Sequence, residues 1–549
     1  MTITLIEMTA AVDAAGSTTA LRYSSGAEFM TRPTESPPNA VYEARLMTAG
    51  NYERHCWARG TTTGASQRGY GVVELNNSDG ALDALLRYGF DGQPITIRRG
   101  PEGGAYPDDF PAMFSGVMSR VTVDWQKASV LLLDRQSDMA DKSYQGTKFD
   151  GSNSGATGVE GTASDIKGNP KPKLRGTANN FAPPCANTSD LVYQIDDGTA
   201  KLPMTLTTVY DKGGALTVGT SRATLALLKS NTPSASHYDY YAGPDGWYFK
   251  LGSTPSGTIT CDASEGAAAD RTVAQIVSRI VSSEGGIPLA DIDGIAALDA
   301  ACPYEVGIWV GEETTVGQVV DAVLASVNGF LVDSRTGRMK LGRFVDPATL
   351  PSAGTIEEWQ IKGAAAGLKI SGSNDPGVGL RVSDGVNGGK AKYKSGEDTT
   401  AGLPVYRALL EYDRNFTVQS DADVAGVAQS RLAVLKEEYR TVDLSDRSIL
   451  LKHKKAPEYT VTTLLRSATD AAAEAARQLA LRKVASVIVE IPLDPETAAD
   501  FDLAQRVDLM LARFGFDAGI PLFILGITED LGAPDRAAMT TLICWGQLT

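Results

Sequence analysis

The residues of this chain that could do chemistry are few, and their spacing argues against most catalytic arrangements. Only three histidines are present, His55, His237 and His453, so imidazole acid–base catalysis has few candidates. His55 directly precedes Cys56, but neighbours along a strand point to opposite faces, which argues against a thiol–imidazole pair. A core or surface role is therefore favoured for both residues.

Established catalytic motifs are also missing from the sequence. There is no GxSxG nucleophile elbow, no HExxH zinc motif, no GxGxxG fingerprint and no P-loop. The segment NGGKAKY contains a Gly-Lys pair, but it lacks the Ser or Thr that should follow and the upstream Gly. Carboxylate-only catalysis stays open, because 66 acidic residues offer many pairs. We predict no catalytic, cofactor-binding or metal-binding residue, no cofactor and no enzymatic activity.

The segment VVELNNSDGALDALLRYGFDGQPITIRRG, residues 72–100, concentrates Asn, Asp and Gly as a metal loop would. An EF-hand with Gly80 at position 6 needs oxygen ligands at positions 1 and 12, where Leu75 and Leu86 stand. The metal interpretation therefore fails. The order strand, turn, helix, turn, strand is predicted instead, with the helix over 78–88.

The helix over 78–88 is supported by residue types at both ends. Ser78 and Asp79 are good N-cap residues, and Gly89 stands where a left-handed C-cap residue belongs. Three leucines fall on one helical face: Leu82, Leu85 and Leu86. Leu82 and Leu85 are expected in the core.

The cysteines have no metal-binding or disulfide spacing. The five are Cys56, Cys185, Cys261, Cys302 and Cys544. They form no CxxC pair and have no nearby pair of histidines, so neither a zinc site nor a disulfide framework is indicated. Buried free thiols are favoured.

The run HYDYYAGPDGWYFKLG, residues 237–252, has a turn signal, GPDGW, between two aromatic strands. Its Tyr and Trp residues beside Asp239 and Asp245 could form a platform for a sugar. Aromatic cross-strand pairs also stabilise a hairpin, by about 0.2 to 1 kcal/mol each. The hairpin role is favoured, and glycan binding stays open.

The chain is acidic, with a formal net charge of −15 and a pI near 4.9. A protein that grips nucleic acid needs a clustered basic face, so nucleic acid is not expected as a bound partner. The opening MTITLIEMTAAV lacks a basic n-region, and no run of about 18 apolar residues is present. Neither an export signal nor a membrane span is expected.

The elements predict an α+β, β-rich fold, because large β and helical segments do not alternate regularly. Short alternating segments from Thr2 to about Arg135 predict a β-barrel or sandwich. Helical periods are predicted from Val273 to Gly285, over 316–327, over 421–440 and over 469–484. A hairpin turning at SRTG and four C-terminal strands complete the pattern.

Composition predicts the following domain boundaries. Residues 1–149 form a barrel domain with one helix, 150–184 a Gly/Pro-rich linker or long loop, 185–265 an inserted β-rich domain, 266–364 an α+β domain, 365–404 a Gly-rich loop, and 405–549 a helical segment with a C-terminal β domain.

Several segments resemble the tail-tip, or baseplate hub, proteins of long-tailed phages and prophages with non-contractile tails. They are VVELNNSDGALDALLRYGFDGQPITIRRG, TTVGQVVDAVLASVNGFLVDSRTGRMKLGRF, YDRNFTVQSDADVAGVAQSRLAVLKEEYR and LFILGITEDLGAPDRAAMTTLICWG. The resemblance covers most of the chain and lies in the residue patterns of these segments and in their order along the chain. It implies a tail-tube-like barrel, a place in the virion after assembly in the host cytoplasm, and a ring joining tube to tip.

The resemblance also implies partners. It implies that the chain binds other copies of itself in a ring, with a trimer favoured and a hexamer second. It also implies contacts with tail-tube, distal tail, tape-measure and other tip or receptor-binding proteins. Some relatives hold an iron–sulfur cluster on clustered cysteines, which this chain lacks, so that cofactor is not carried over. The alternatives are a distal tail ring protein, a glycan-binding adhesin and, third, a cell-wall hydrolase.

Overall fold

The structure is a computed structural model that describes residues 2–153, 158–199, 202–335, 337–362, 369–371, 403–427, 429–512, 515–530 and 538–548. Strands predominate, and helices are grouped in the second half of the chain. The predicted α+β, β-rich class is confirmed.

The strands, in chain order, are β1 Thr2–Ala11, β2 Thr18–Ser24, β3 Phe29–Met30, β4 Val41–Tyr42, β5 Leu46–His55, β6 Tyr70–Asn76, β7 Pro94–Pro101, β8 Ala112–Val123, β9 Lys127–Leu133, β10 Lys173–Phe181, β11 Cys185–Asn187, β12 Val192–Asp196, β13 Met204–Asp211, β14 Gly214–Ala215, β15 Thr217–Ser221, β16 His237–Gly243, β17 Gly246–Leu251, β18 Ile259–Glu265, β19 Ile292–Asp293, β20 Gly307–Val310, β21 Gly329–Asp333, β22 Met339–Arg343, β23 Ser352–Glu357, β24 Lys369–Ser371, β25 Arg407–Tyr412, β26 Arg440–Ser445, β27 Glu458–Thr462, β28 Ser486–Leu493, β29 Arg506–Met510, β30 Ile520–Asp530 and β31 Met539–Gln547.

The α-helices are α1 Arg135–Ala140, α2 Leu225–Ser230, α3 Val273–Ser283, α4 Ile295–Ala301, α5 Val316–Ala325, α6 Gln429–Leu435, α7 Ile449–Lys452, α8 Ala468–Arg482 and α9 Pro495–Ala498. Single turns of 3-10 helix occur at Asp83–Arg87, Ala268–Asp270, Leu289–Asp291, Pro347–Thr349 and Glu358–Gln360.

The main sheet runs through both ends of the chain. Its order is β2-β1-β7-β8-β9-β6-β5-β30-β31-β28-β24, and β29 and β23 branch from β30. The predicted barrel is wrong: none of the described sheets closes. Only one bridge, between Tyr23 and Glu43, links β2 to the chain entering β5. The sheet stays open because β5 pairs with β30 along its second half.

The inserted region holds two five-stranded sheets, β14-β13-β18-β10-β20 and β11-β12-β17-β16-β15. Strand β10 lies within the stretch 150–184, for which the composition predicted a linker or long loop. The loop interpretation is therefore wrong for 173–181, because these polar residues gain hydrogen bonds from two neighbouring strands. The domain boundaries themselves stay a prediction, and 365–404 is described only at β24 and at 403–404.

The two helices predicted from Val273 and over 316–327 are confirmed as α3 and α5. Their apolar positions are buried together in one core with the β21–β22 hairpin. Thr315 caps α5 by accepting from the Gln318 N–H at 3.3 Å. The hairpins at SRTG and at GPDGW, the helix α8 and the four C-terminal strands are likewise confirmed.

The helix predicted over 78–88 is a single turn of 3-10 helix, Asp83–Arg87, without a side-chain N-cap. Leu82 and Leu85 are buried as predicted, but Leu86 is 67% exposed, so the three leucines do not share one buried face. The predicted caps are wrong because Asn77 accepts from the Leu82 N–H at 2.8 Å, which holds the preceding residues in a turn.

The long helix predicted over 421–440 is also wrong. Among the described residues of this stretch only α6 is helical, and β26 begins at Arg440. Gly426 has a φ of 70°, in the left-handed region, which ends a right-handed helix. Before it, Asp423 accepts from the Ser420 N–H at 2.9 Å and forms a local turn instead.

The two ends of the chain meet where β5 pairs with β30, with Tyr52 opposite Glu529. Arg54 is buried there and donates to Asp502 at 2.9 Å, and Arg335 lies 2.8 Å from Glu529. Burial would raise the pKa of Asp502, but the Arg54 charge and the backbone N–H groups of Leu503 and Arg335 together outweigh it and lower that pKa. These four charges, of which Arg54, Arg335 and Glu529 are buried and Asp502 is half-buried, are called the seam cluster.

We expect Leu85→Ala to lower the free energy of unfolding by about 2 to 5 kcal/mol, because it leaves a cavity in the core. The matched control Leu86→Ala makes the same change at an exposed position and should stay within about 0.5 kcal/mol. Equilibrium urea unfolding of the full chain measures both. Equal losses in the two variants would contradict this packing.

We expect Arg335→Met to lower the free energy of unfolding by about 3 to 5 kcal/mol, because Glu529 is only 1% exposed and would lose a cation beside it. The double variant Arg335→Met/Glu529→Leu should regain most of that loss, since an apolar pair can replace a buried ion pair. A double-mutant cycle in urea measures the coupling. Additive losses would show that the two side chains do not act as a pair.

Candidate functional site

The structure places His55 and Cys56 in the core at the end of β5. His55 Nε2 lies 3.4 Å from the Glu53 carboxylate. Burial raises the pKa of the Cys56 thiol to about 12, which disfavours the nucleophilic thiolate. Among the described residues no hydrogen bond joins this thiol to the imidazole, so the geometry does not build a nucleophile and its base.

The remaining cysteines are separate free thiols. Cys261, Cys302 and Cys544 are buried, and Cys185 is half-buried. Burial raises the pKa of Cys302 to about 11 and also raises the pKa values of Cys261 and Cys544. Each buried thiol therefore behaves as a small apolar group in its own core position.

The Asx-rich segment 72–100 makes turns and side-chain contacts. Arg45 donates two hydrogen bonds to Asp79, each of 2.9 Å. This pair lowers the pKa of Asp79 to about 2 and borders an open groove of about 330 Å³. Asn77 donates to the Asp124 carbonyl at 2.9 Å, which ties the segment to the β8–β9 hairpin.

The aromatic hairpin 237–252 forms β16 and β17 and turns its large rings inward. Tyr238, Tyr241, Trp247, Tyr248 and Phe249 are all buried. Buried rings cannot stack on a sugar at the surface, so the contacts favour a role in holding the two inserted sheets together.

In the described part of the chain, no group of three His, Cys, Asp or Glu side chains is placed to hold a metal ion. Within the same residues, no helix combines the length and apolar character needed to cross a bilayer.

A contiguous apolar surface lies on the outer face of the N-terminal strands. Tyr70 is opposite Leu133, and Val72 is opposite Leu131. Val117 is opposite Leu133 on the other side. Tyr70 is 53% and Val72 39% exposed, and the other three are half-buried. These five residues are called the outer-face patch.

Strands β6 and β9 are apolar on both faces, which explains the patch. The residues between the patch positions, Val73, Val130 and Leu132, face the core of the N-terminal strands and are fully buried. Polar residues border the patch: Asn51 and Glu53 lie opposite β6, and an ion pair joins Glu74 to its strand neighbour Lys127. An exposed apolar patch with a polar rim is typical of a protein–protein contact site.

Sequence reasoning missed the outer-face patch, although a signal was present. A strand that contacts water on one face normally alternates apolar and polar residues. Segment β9, KASVLLL, has three consecutive leucines, of which Leu132 points inward while Leu131 and Leu133 point outward. Trp125 is 94% exposed at the tip of the β8–β9 hairpin, at the opposite end of β9 from Leu133.

Among solved structures, the chain has low similarity to several phage and prophage tail proteins. No protein-family model matches the chain. No curated protein matches it either. The 43 kDa tail protein of prophage MuSo2 from Shewanella oneidensis has a TM-score of 0.39 and 10% identity, over 99% of this chain and 98% of that one. The tail protein from Neisseria meningitidis MC58 has a TM-score of 0.39 and 8% identity, over 92% and 94%.

A third solved structure is the prophage tail protein gp18 from Listeria monocytogenes EGD-e. Its TM-score is 0.35 at 5% identity, over 99% of this chain and 94% of that chain. TM-scores below 0.5 at these identities establish neither a shared fold nor a shared function.

We expect at most one thiol per native chain to react with a disulfide reagent at about pH 8. Four of the five thiols are buried and have raised pKa values, so they react poorly. The Cys185→Ser variant should remove that native signal, and unfolding in guanidinium should expose the remaining four. Rapid release of two or more equivalents from native Cys185→Ser protein would contradict the burial of these thiols.

Proposed function

We propose that this chain is a structural component of a phage tail tip, a baseplate hub that joins the tail tube to the distal tip and lines or closes the DNA-ejection channel. Four segments resemble tail-tip proteins in their residue patterns and in their order along the chain, and this resemblance supports the role. The structural observation that carries it is the outer-face patch, since a subunit of a larger assembly needs an apolar surface for its neighbours.

The proposed location is the virion tail, after assembly in the host cytoplasm. The chain forms a closed homo-oligomer, because rotational symmetry lets one pair of surfaces serve every joint. A trimer is the favoured oligomer, and a hexamer is the second choice. Its partners are the tail tube, distal tail proteins, the tape-measure protein and other tip or receptor-binding proteins. Residues 1–149 form the tube-facing unit in this proposal.

The net charge of −15 supports a channel role. Like charges brought together at a joint would cost several kcal/mol, whereas a negative channel wall would repel passing DNA and let it move. The acidic surface therefore faces the lumen more than the joints. A distal tail ring protein remains the second candidate, and the ring symmetry distinguishes the two.

A map of the mature tail tip, with a tagged copy of this chain, tests the proposal. The expected result is a closed ring of three copies at the tip, with acidic residues facing the channel. Six copies would favour the distal ring instead. A single asymmetric copy, or a channel wall lined mainly by Lys and Arg, would overturn both.

We expect Val72→Asp to prevent incorporation into tails while the soluble chain keeps its melting temperature. The exposed carboxylate costs little in water, but at an apolar joint it would be buried without a partner. Thr18→Asp introduces the same charge at an exposed position of β2 outside the patch and should incorporate normally. Tails purified from each variant and probed for the tag give the measurement. Normal incorporation of Val72→Asp would show that the outer-face patch is not a joint.

A further inference from the structure

A polar cleft of about 120 Å³ lies where the chain from Asp413 to Arg440 packs on strands β10 and β18. Three of the residues that line it carry guanidinium groups: Arg414, Arg431 and Arg440. Phe416 anchors this segment by donating its N–H to the Asn179 carbonyl at 3.3 Å. The cleft is therefore built by two separate parts of the sequence.

Arg431 is held in the cleft by an aromatic ring. Its guanidinium carbon lies 3.8 Å from the centroid of the Tyr210 ring, a cation–π contact that fixes the side chain. Among the described residues it makes no hydrogen bond and no ion pair, and its buried Nε has no acceptor. A fixed guanidinium with unused donors is suited to bind an oxyanion through two parallel hydrogen bonds.

The other two cations of the cleft already have carboxylate partners. Arg414 lies 3.2 Å from Glu438, and Arg440 lies 3.3 Å from Asp413. Arg466 makes a second ion pair with Asp413, so that carboxylate is neutralised by two cations. Among the described residues, Arg431 is therefore the lining cation without a carboxylate partner, although the buried Nε of Arg414 also has no acceptor.

The cleft also offers acceptors beside Arg431. Asp262 accepts from the Asn180 N–H and from the Tyr210 hydroxyl, each at 2.7 Å, and each carboxylate oxygen keeps a free lone pair. Asn180 is 4% exposed, and its Oδ1 has no donor among the described residues. A ligand that satisfies both sides must accept hydrogen bonds from Arg431 and donate one in return.

We propose that this cleft binds a small oxyanion that also carries a hydroxyl group, the chemistry shared by hydrogen phosphate and α-hydroxycarboxylates. The oxyanion pairs with Arg431, and the hydroxyl donates to Asp262 or Asn180. A volume of 120 Å³ equals about four waters, so it admits a group of this size. The site is independent of the proposed place in a tail.

Isothermal titration of the full chain tests the site at about pH 6, where phosphate keeps at least one proton. Inorganic phosphate and glycolate are the probes with a hydroxyl, and sulfate and acetate are the probes without one. All titrations are done at one ionic strength set with sodium chloride. Phosphate, glycolate or both should bind at least about tenfold more tightly than sulfate and acetate, a difference of about 1.4 kcal/mol.

Variants locate the binding. Arg431→Gln should weaken it at least about tenfold, and Arg431→Lys should weaken it too, because an ammonium lacks the planar pair of donors. Arg120→Gln removes the same charge from an exposed position on β8 and should leave binding unchanged. The melting temperature of each unliganded variant, measured in parallel, identifies any that fail to fold, and Arg431→Lys then decides the test.

Phosphate and glycolate distinguish the two sources of this chemistry, since a phosphate site prefers the first and a hydroxycarboxylate site the second. If sulfate and acetate bind as tightly as phosphate and glycolate, the proposed role of the hydroxyl group is overturned. Unchanged binding by folded Arg431 variants, or no binding by any of the four probes, would overturn the site itself.

Discussion

The pairing of β5 with β30 is the constraint on which the rest of this structure depends. Five residue pairs in register, from Asn51 with Asp530 to His55 with Gly526, join the strands from the two ends of the chain into one sheet. Because β5 is committed to β30 over this length, it cannot also close the N-terminal strands into a barrel. The long loops and the inserted sheets must then lie between two ends that are fixed together.

Apolar and charged contacts stabilise the pairing in different ways. Trp57 follows β5 and meets Phe330 and Phe344 edge-on at 5.5 and 5.8 Å, which buries the turn against the β21–β22 hairpin. Phe344 in turn packs on Trp545 at 4.8 Å, so one aromatic cluster links both ends of the chain. The seam cluster adds paired charges to this junction. Because an unpaired buried charge is costly, few other packing arrangements of these strands are compatible with the cluster.

The two surfaces with functional potential are consequences of this framework. The open N-terminal sheet leaves β6 and β9 with an outer face that no part of the described chain covers fully, which produces the outer-face patch. The inserted sheets provide Tyr210 and Asp262, and the returning chain provides Arg431, so the polar cleft forms only when those parts dock. One surface suits a protein neighbour and the other a small anion.

Local chemistry in the sequence determined the elements with strong periodicity. The α+β class, the helices α3, α5 and α8, the C-terminal strands and the burial of Leu82 and Leu85 follow from spacing that needs only near neighbours. The tertiary structure alone decided the open sheet, the strand at 173–181 and the meeting of Arg431 with Tyr210. Those features depend on hydrogen bonds and contacts between residues far apart in the chain, and spacing along a sequence carries no information about which distant segments pair.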